Sequence, residues 1–196
     1  MDMDHKTRER IVLAALQLFL AQGIKKTAVS EVAEQAGVTR VTAYRYFGDK
    51  ESLVQAAFMR LVAVFQQAQA AMAEEQGGEI DYYLDVIGSG LAALPQGDLP
   101  TRLEELKQLY PDIATEFHET RLMVVKNIFD HLFSNARAKG LLQEGLNQEI
   151  VEVVFLEAAT SALENPRLIA QNLSHTEIYN TIKKIFLYGI LREHVS

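Results

Sequence analysis

Apolar residues recur along this chain at the three-to-four-residue spacing of amphipathic helices, and no stretch alternates apolar and polar residues as a half-buried strand does. In the first segment, about residues 6–21, Ile11, Ala15 and Phe19 share one face of the predicted helix. No proline falls within the first ninety residues, so nothing there interrupts a helix. The pattern predicts an all-α protein of about nine helices.

Two short helices joined by a glycine follow this first segment. Thr27 is the predicted cap of a helix whose apolar residues are spaced i, i+3, i+4 and i+7, and Thr39 is the predicted cap of a helix that runs to about Phe47. Gly37 lies between them and allows a tight turn. Two short helices joined by such a turn form a helix-turn-helix, in which the second helix enters the major groove of DNA.

Longer helices make up the rest of the chain. Asp49 is the predicted cap of a fourth helix that runs from Lys50 towards Glu75. The apolar face of this helix is wide enough to pack both on the N-terminal helices, the head, and on the helices that follow, the body. The remaining helices are predicted at about residues 79–93, 101–110, 111–139, 147–165 and 174–192, with capping-box spacing at Thr101 with Glu104 and at Ser174 with Glu177. We therefore predict an N-terminal three-helix DNA-binding domain, residues 1–49, followed by a helical regulatory and dimerisation domain, residues 50–196.

The charge is unevenly distributed between these two parts. The net charge of −7 argues against a nucleic-acid partner if it is taken over the whole chain. Residues 1–50 carry eight basic and six acidic residues, whereas residues 51–196 carry eleven basic and twenty acidic ones. A mildly basic head on an acidic body fits a protein that touches DNA with one end only. Differences of this size are common, so the charge alone is a weak signal.

The composition narrows the other classes of function. The chain has no cysteine, and its five histidines lack the tight spacing of metal ligands. We find no Ser/His/Asp grouping, phosphate-binding loop or flavin fingerprint, so we expect no metal, no cofactor and no enzymatic activity. The N-terminus is charged, and the early apolar run Ile11–Leu16 is too short to span a bilayer. We therefore expect a cytoplasmic protein with no membrane partner.

The third predicted helix carries side chains suited to DNA. Arg40 and Arg45 are able to donate two hydrogen bonds to a guanine edge or to bind phosphate. The hydroxyls of Tyr44 and Tyr46 suit phosphate oxygens, which fix the register on DNA without reading its sequence. Lys50, at the start of the fourth helix, suits a phosphate as well. The candidate DNA-binding residues are Thr27, Thr39, Arg40, Val41, Thr42, Tyr44, Arg45, Tyr46 and Lys50.

Other interpretations of this segment exist. A glycine turn between short helices is common in all-helical proteins, and Tyr44 and Phe47 are possible core aromatics. Tyr44 and Tyr46, however, point about 200° apart around a helix, so they cannot both be buried on one face. The alternative function is a small-molecule sensor or scaffold with a non-functional head, acting through protein contacts. Retardation of promoter DNA by the purified protein distinguishes the two.

The run from Gly37 to Leu53, GVTRVTAYRYFGDKESL, closely resembles the signature of the tetracycline-repressor (TetR) family, as does the upstream stretch from Ala15 to Val38. Ala43 departs from the signature, because the family usually carries a larger aliphatic residue there. The resemblance extends to individual motif residues over about the first fifty-five positions. Over the rest of the chain it concerns only the helical architecture. It implies a homodimeric repressor that binds a pseudo-palindromic operator in double-stranded DNA and is released by a small molecule held in its body.

The resemblance also divides the candidate residues by role. It implies that Arg40, Val41 and Thr42 face the bases, whereas Tyr44, Tyr46 and Lys50 face phosphates; Arg45 fits either role. It implies a ligand pocket in the body, with candidate residues Phe58, Leu61, Phe65, Tyr82, Tyr83, Tyr110, Phe117, His118 and Arg121. Few charges fall among these apolar faces, so we expect a largely apolar effector. Plain core packing is the more common meaning of such a set of residues.

The last two long helices are the predicted subunit interface. The first carries a stripe of small residues beside Phe155, which would let another helix approach closely. The last helix has apolar residues on two faces, which implies burial on two sides, one of them against a partner. The candidate dimer residues are Phe155, Ala158, Ala159, Ala162, Ile178, Ile182, Ile185 and Phe186. The alternative is a fully internal last helix.

Overall fold

A computed structural model of the protein describes residues 2–74, 80–93, 95, 97–163, 165–171 and 173–190. Within these residues the chain forms helices joined by short connections, which confirms the all-α prediction. The helices are α1 (Asp2–Gln22), α2 (Val29–Gln35), α3 (Arg40–Phe47), α4 (Lys50–Glu74), α5 (Ile80–Ala92), α6 (Leu99–Leu109), α7 (Pro111–Ala138), α8 (Gln148–Leu163), α9 (Pro166–Ala170) and α10 (His175–Ile190).

Side-chain caps start several helices where the sequence predicts them. The Thr39 hydroxyl accepts the Thr42 N–H at the start of α3, and the Asp49 carboxylate accepts an N–H of the first turn of α4. At α10, the Glu177 carboxylate accepts the Ser174 N–H at 2.9 Å and the Ser174 hydroxyl accepts the Glu177 N–H at 3.2 Å. Each cap satisfies an N–H group that has no partner inside its helix.

Two of the later helices differ from their predictions. Thr101 is not the cap of α6, because the Asp98 carboxylate accepts the Thr101 N–H at 3.2 Å and the helix begins at Leu99. Pro100 then falls in the first turn, where the N–H that proline lacks is not needed. The short helix α9 was not predicted, because five residues are too few to show a helical repeat.

Residues 1–63 and 94–121 form one compact unit. In it α1 packs on α2 and α6 packs on α1. The fully buried side chains include Ile11, Phe19 and Phe58. Phe117 of α7 meets the Phe58 ring edge-on, with ring centroids 6.3 Å apart. The unit that contains the head thus extends past residue 49, whereas the division of function at residue 49 stays a prediction.

Residues 64–93 and 122–196 form a second compact unit, in which α10 packs on α5 and on α8. An aromatic cluster lies in its core: the Phe155 ring centroid is 4.8 Å from that of Phe129 and 4.4 Å from that of Phe186. The buried Tyr179 hydroxyl donates to the Leu84 carbonyl at 2.9 Å. Burial, reinforced by a nearby acidic charge, raises the pKa of this phenol, so it stays a donor.

Within the described ranges, no helix combines the length and apolarity that crossing a lipid bilayer requires. In the same ranges, no three His, Asp or Glu side chains gather into a group able to hold a metal ion.

Candidate nucleic-acid interface

The turn between α2 and α3 is fixed by its own backbone and by an arginine from α1. Gly37 has a φ of 63°, a left-handed conformation that residues with side chains rarely adopt. The Val38 N–H donates to the Ala33 carbonyl at 2.9 Å. The Arg10 guanidinium donates to the carbonyl oxygens of Ala36 and Gly37, where α2 ends. These contacts set the direction in which α3 leaves α2.

Helix α3 has one buried face and one exposed face. Ala43 and Phe47 lie four residues apart and are both buried, and α2 packs against α3. Arg40 and Arg45 are exposed, and Val41 is 78% exposed. The outward face therefore presents hydrogen-bond donors together with an apolar side chain, the combination needed to read base edges and thymine methyl groups.

Both arginines of α3 lie over tyrosine rings of the same helix. The guanidinium carbon of Arg40 is 5.3 Å from the Tyr44 ring centroid, and that of Arg45 is 5.4 Å from the Tyr46 ring centroid. A guanidinium stacked in this way keeps its N–H donors available while it loses rotamer freedom. The side chains of α3 are therefore oriented before any partner arrives.

The Tyr46 hydroxyl has an acidic partner that the sequence did not reveal. It donates a hydrogen bond to the Asp4 carboxylate from the first turns of α1. A carboxylate at this point would compete with the predicted phosphate oxygen for the hydroxyl and would repel its charge. The two residues are 42 positions apart, so no local spacing indicated the contact.

The structure corrects the prediction that Thr27 is the cap of α2. This residue is 1% exposed, and its hydroxyl donates to the Gly23 carbonyl at 2.7 Å. The N-cap of α2 is Ala28, whose N–H is accepted by the Glu31 carboxylate at 2.7 Å. Thr27 therefore anchors the segment before α2 from inside, and its hydroxyl does not lie at the surface where a phosphate would bind.

The Lys50 ammonium is directed at peptide carbonyls. It donates to the Ile24 carbonyl at 2.7 Å and lies 3.5 Å from the Lys25 carbonyl, both in the segment between α1 and α2. The Glu105 carboxylate of α6 accepts the N–H groups of the same two residues, at 3.0 and 2.8 Å. Sequence reasoning missed Glu105, which lies about eighty positions away from its partners.

Six of the nine ligand candidates belong to the first compact unit: Phe58, Leu61, Tyr110, Phe117, His118 and Arg121. Phe58, Leu61 and Phe117 are part of its buried core, whereas His118 is exposed. Burial, followed by the charges of Glu51 and Asp49, raises the pKa of the Tyr110 phenol. The Tyr110 phenol is therefore neutral at physiological pH, and the acidic residues at the start of α4 favour its protonated form.

The other three candidates belong to the second unit. Phe65 packs against the aromatic cluster, Tyr82 is 49% exposed, and the side chain of Tyr83 lies outside the described residues. This unit also contains an apolar cavity of about 30 Å³, lined by Leu84, Phe129, Leu132, Phe133, Ala136, Leu142, Phe155, Lys183, Phe186 and Leu187. In the described part of the chain, none of the ligand candidates lines this cavity. Lys183, at its margin, pairs with Asp85 at 2.6 Å.

The predicted dimer residues divide between core and surface. Phe155 and Ile178 are buried, and Ala162, Ile182 and Phe186 are half-buried. Ala158 is exposed, Ile185 is 68% exposed, and the side chain of Ala159 lies outside the described residues. Sequence reasoning missed an exposed apolar row on α8, made by Ile150, Val153 and Val154. Their i, i+3, i+4 spacing was the available signal.

Comparisons with known proteins agree with this geometry. Residues 11–57 match the sequence profile described as "Bacterial regulatory proteins, tetR family". An uncharacterised HTH-type transcriptional regulator of Bacillus subtilis, YvkB, is 28% identical over 153 residues, which cover 75% of this chain and 76% of YvkB. The fatty acid metabolism regulator protein of the same organism is 23% identical over 92% of this chain and 94% of its own.

Solved structures show the same fold. SmeT in complex with triclosan has a TM-score of 0.67 to this chain at 18% identity, covering 97% of this chain and 94% of SmeT. A TetR transcriptional regulator from Chloroflexus aurantiacus has a TM-score of 0.65 at 20% identity, covering 97% and 99% of the two chains.

The helix-turn-helix and the α-helical body define a DNA-binding transcriptional regulator. The turn is held by hydrogen bonds, and the short helix after it exposes arginines and a valine. The profile match across the head and the full-length likeness to TetR-family structures specify the kind of regulator. Residues 11–57 therefore form a DNA-binding head of the TetR type, and the chain is similar over its length to TetR-family structures.

We predict that Asp4→Asn tightens DNA binding. The change frees the Tyr46 hydroxyl from a carboxylate and removes a negative charge beside α3. For an exposed contact the gain should be about 0.2–1 kcal/mol, a factor of roughly 1.4 to 5 in Kd. Fluorescence anisotropy with labelled promoter DNA measures it. Asp112→Asn, which removes the same charge at the start of α7, is the control and should have no such effect; equal effects of both would contradict a specific role for Asp4.

Proposed function

We propose that the protein is a homodimeric repressor that binds a pseudo-palindromic operator through α3 and is released by a small molecule. The observation that carries the DNA-reading part is the outward face of α3, where Arg40, Val41 and Arg45 are exposed while Ala43 and Phe47 are buried. Repression is also the role named for SmeT, described as the repressor of the multidrug efflux pump SmeDEF of Stenotrophomonas maltophilia.

The proposed reading set follows from position on α3. Arg40, Val41 and Thr42, in the first turn, contact base edges, since the N-terminal residues of a recognition helix reach deepest into the major groove. Tyr44 and Arg45 contact the sugar-phosphate backbone. Thr39 supports the set, because its hydroxyl caps α3 and lies 2.9 Å from the Thr42 hydroxyl. Tyr46 joins the phosphate contacts once its hydroxyl exchanges Asp4 for a phosphate oxygen.

The test is retardation of promoter DNA from the protein's own locus, followed by selection of bound sequences from random DNA. We predict that Arg40→Ala lowers affinity and changes the selected motif, at a cost of about 1–3 kcal/mol at one base pair in each half-site. Asp112→Asn serves again as an unaffected control. An unchanged motif would make Arg40 a phosphate contact only, and a wild-type protein that retards no promoter DNA would favour the sensor or scaffold.

The dimer part of the proposal is supported by exposed apolar side chains on two helices that pack together. Helices α8 and α10 contact each other within the second unit. Ile150, Val153 and Val154 of α8 and Ile185 of α10 are each more than half exposed. Contiguous exposed apolar side chains mark interaction surfaces. Paired about a two-fold axis, the two helices of each subunit would form a four-helix bundle.

We predict that Val153→Asp and Ile185→Asp each separate the subunits. Either change would leave an unpaired charge inside the interface, at a cost of about 3–5 kcal/mol. Sedimentation velocity over a range of concentrations measures the monomer fraction. Met123→Asp is the matched control, since it replaces another exposed apolar residue of the second unit and should leave the dimer intact. Folded aspartate variants that remain dimeric would locate the interface elsewhere.

The effector part of the proposal is supported by the apolar cavity of the second unit. Its volume of about 30 Å³ has room for one or two waters, far below the 300–1,000 Å³ of ordinary ligand sites. An effector must therefore displace side chains of the aromatic cluster, and the lining favours a largely apolar molecule. Triclosan, which is bound in the SmeT structure, is such a compound.

We predict that an effector and operator DNA weaken each other's binding by the same factor, because coupling between two sites is reciprocal. Coupling of about 1–3 kcal/mol corresponds to roughly five- to 150-fold. Compounds that raise the melting temperature are titrated calorimetrically with operator present and, as a control, with a scrambled duplex. A compound that binds equally tightly in both cases would rule out release by that compound while leaving DNA binding intact.

A further inference from the structure

The segment between α1 and α2 is held through its own backbone by side chains that are distant in sequence. Glu105 of α6 accepts the N–H groups of Ile24 and Lys25, and Lys50 of α4 donates to the Ile24 carbonyl. Lys50 also lies 3.5 Å from the Lys25 carbonyl. Both the N–H donors and the carbonyl acceptors of these two residues therefore face charged side chains of opposite sign, which make stronger hydrogen bonds than neutral partners do.

The glycine at the start of this segment makes the close approach possible. Gly23 has a φ of 100°, and a Cβ there would lie 2.6 Å from an Arg102 guanidinium nitrogen and 3.0 Å from a Glu105 carboxylate oxygen. Arg102 in turn donates to Glu105 at 2.8 Å, and both side chains are less than one-fifth exposed. A side chain at residue 23 would displace this pair, so the site is built around the bare backbone.

The charge of Glu105 is favoured by its partners. Desolvation is the largest single influence and acts to raise its pKa. The Lys25 N–H, the Arg102 guanidinium and the Ile24 N–H together outweigh desolvation, so the pKa of Glu105 is lowered from its usual value. Glu105 is therefore a carboxylate at neutral pH and keeps both acceptor oxygens available.

A second close approach fixes the start of α6 on α1. A Cβ on Gly97 would lie 2.6 Å from the Leu20 Cβ and 3.1 Å from the Leu20 carbonyl oxygen. The segment before α6 thus lies directly against the last turns of α1, and Glu105 is presented to the following residues from a firmly placed helix. The backbone at Gly97 contacts Leu20 of α1 with no side chain between them, so little room is left for α6 to slide along α1.

This segment leads straight into the helix-turn-helix. Thr27, which follows it, donates to the Gly23 carbonyl at 2.7 Å, and Ala28 is the N-cap of α2. Because α2 packs against α3, the position of residues 23–26 sets where the recognition helix stands. We propose that Lys50 and Glu105 are positioning residues that hold this segment, and that Lys50 acts on DNA affinity through it and not through a phosphate contact. This proposal rests on the proposed DNA-reading function.

The two roles for Lys50 differ in salt dependence. Loss of a phosphate contact lowers the slope of log K against log salt by about 0.9. Loss of a positioning contact lowers affinity but leaves the number of phosphate contacts, and hence that slope, unchanged. We expect Lys50→Ala to weaken operator binding on the order of tenfold with an unchanged slope. We expect Lys50→Arg, which keeps a donor cation, to restore most of the affinity.

Glu105 gives a test in which the sign of the effect is decisive. Removing an acidic residue from a DNA-binding protein ordinarily strengthens binding, because repulsion of phosphate is reduced. A positioning role predicts that Glu105→Ala weakens binding on the order of tenfold. Glu105→Gln keeps one acceptor oxygen and should have an intermediate effect. Glu104→Ala, an exposed acid one residue earlier on α6, is the matched control and should bind DNA as tightly as the parent or more tightly.

The hydrogen bonds by which Glu105 and Lys50 hold Ile24 and Lys25 form a clamp on this segment. Amide hydrogen exchange of the DNA-free protein tests this clamp independently of DNA. Glu105→Ala should accelerate exchange at the Ile24 and Lys25 amides by more than about tenfold, whereas Glu104→Ala should not. Unchanged exchange in Glu105→Ala or Glu105→Gln would overturn the clamp whatever the DNA result. A reduced salt slope in Lys50→Ala, or stronger DNA binding by Glu105→Ala, would overturn its role in DNA affinity. Absence of operator binding by the wild-type protein would instead overturn the proposed function, and the DNA part of this inference with it.

Discussion

The burial of Ala43 and Phe47 against the rest of the head is the constraint on which the reading surface depends. Helix α3 has only eight residues, too few to be stable alone in water, so it exists because one face is buried. Once positions 43 and 47 face inward, the helical repeat turns Val41 and Arg45 outward. Arg40 is exposed as the first residue of α3. The Arg8 guanidinium lies 5.3 Å from the Phe47 ring centroid and helps to close the buried side.

The number of basic residues in the head overstates the number of cationic side chains available to bind DNA. Arg10 donates to the carbonyls at the end of α2, and Lys50 donates to the carbonyls after α1, so two of the basic residues of the head serve its own backbone. The Asp4 carboxylate accepts a hydrogen bond from Tyr46 of α3, which adds a negative charge beside that helix. We therefore expect the affinity of this head for DNA to depend on a few exposed arginines and on how firmly α3 is held, more than on net charge.

Helix α8 of the second unit has two apolar faces with different roles. Val151 and Phe155 face the aromatic core, and Ile150, Val153 and Val154 lie on the surface. One face is satisfied within the subunit, whereas the other remains in water unless a partner covers it. The same helix therefore contributes to the cavity-lining cluster and to the proposed subunit interface.

The sequence by itself determined the features that depend on neighbouring residues. The helical repeat, the turn at Gly37 and the caps Thr39, Asp49 and Ser174 act over three or four positions, and the helix-turn-helix motif that the sequence revealed is equally local. Tertiary structure decided the rest: that Thr27 is internal, that Phe155 belongs to the core, that Asp4 contacts Tyr46, and that Glu105 belongs to the unit that contains the head. Which distant side chain reaches a given hydrogen-bonding group depends on how segments far apart in sequence pack, and local periodicity carries no information about those long-range contacts.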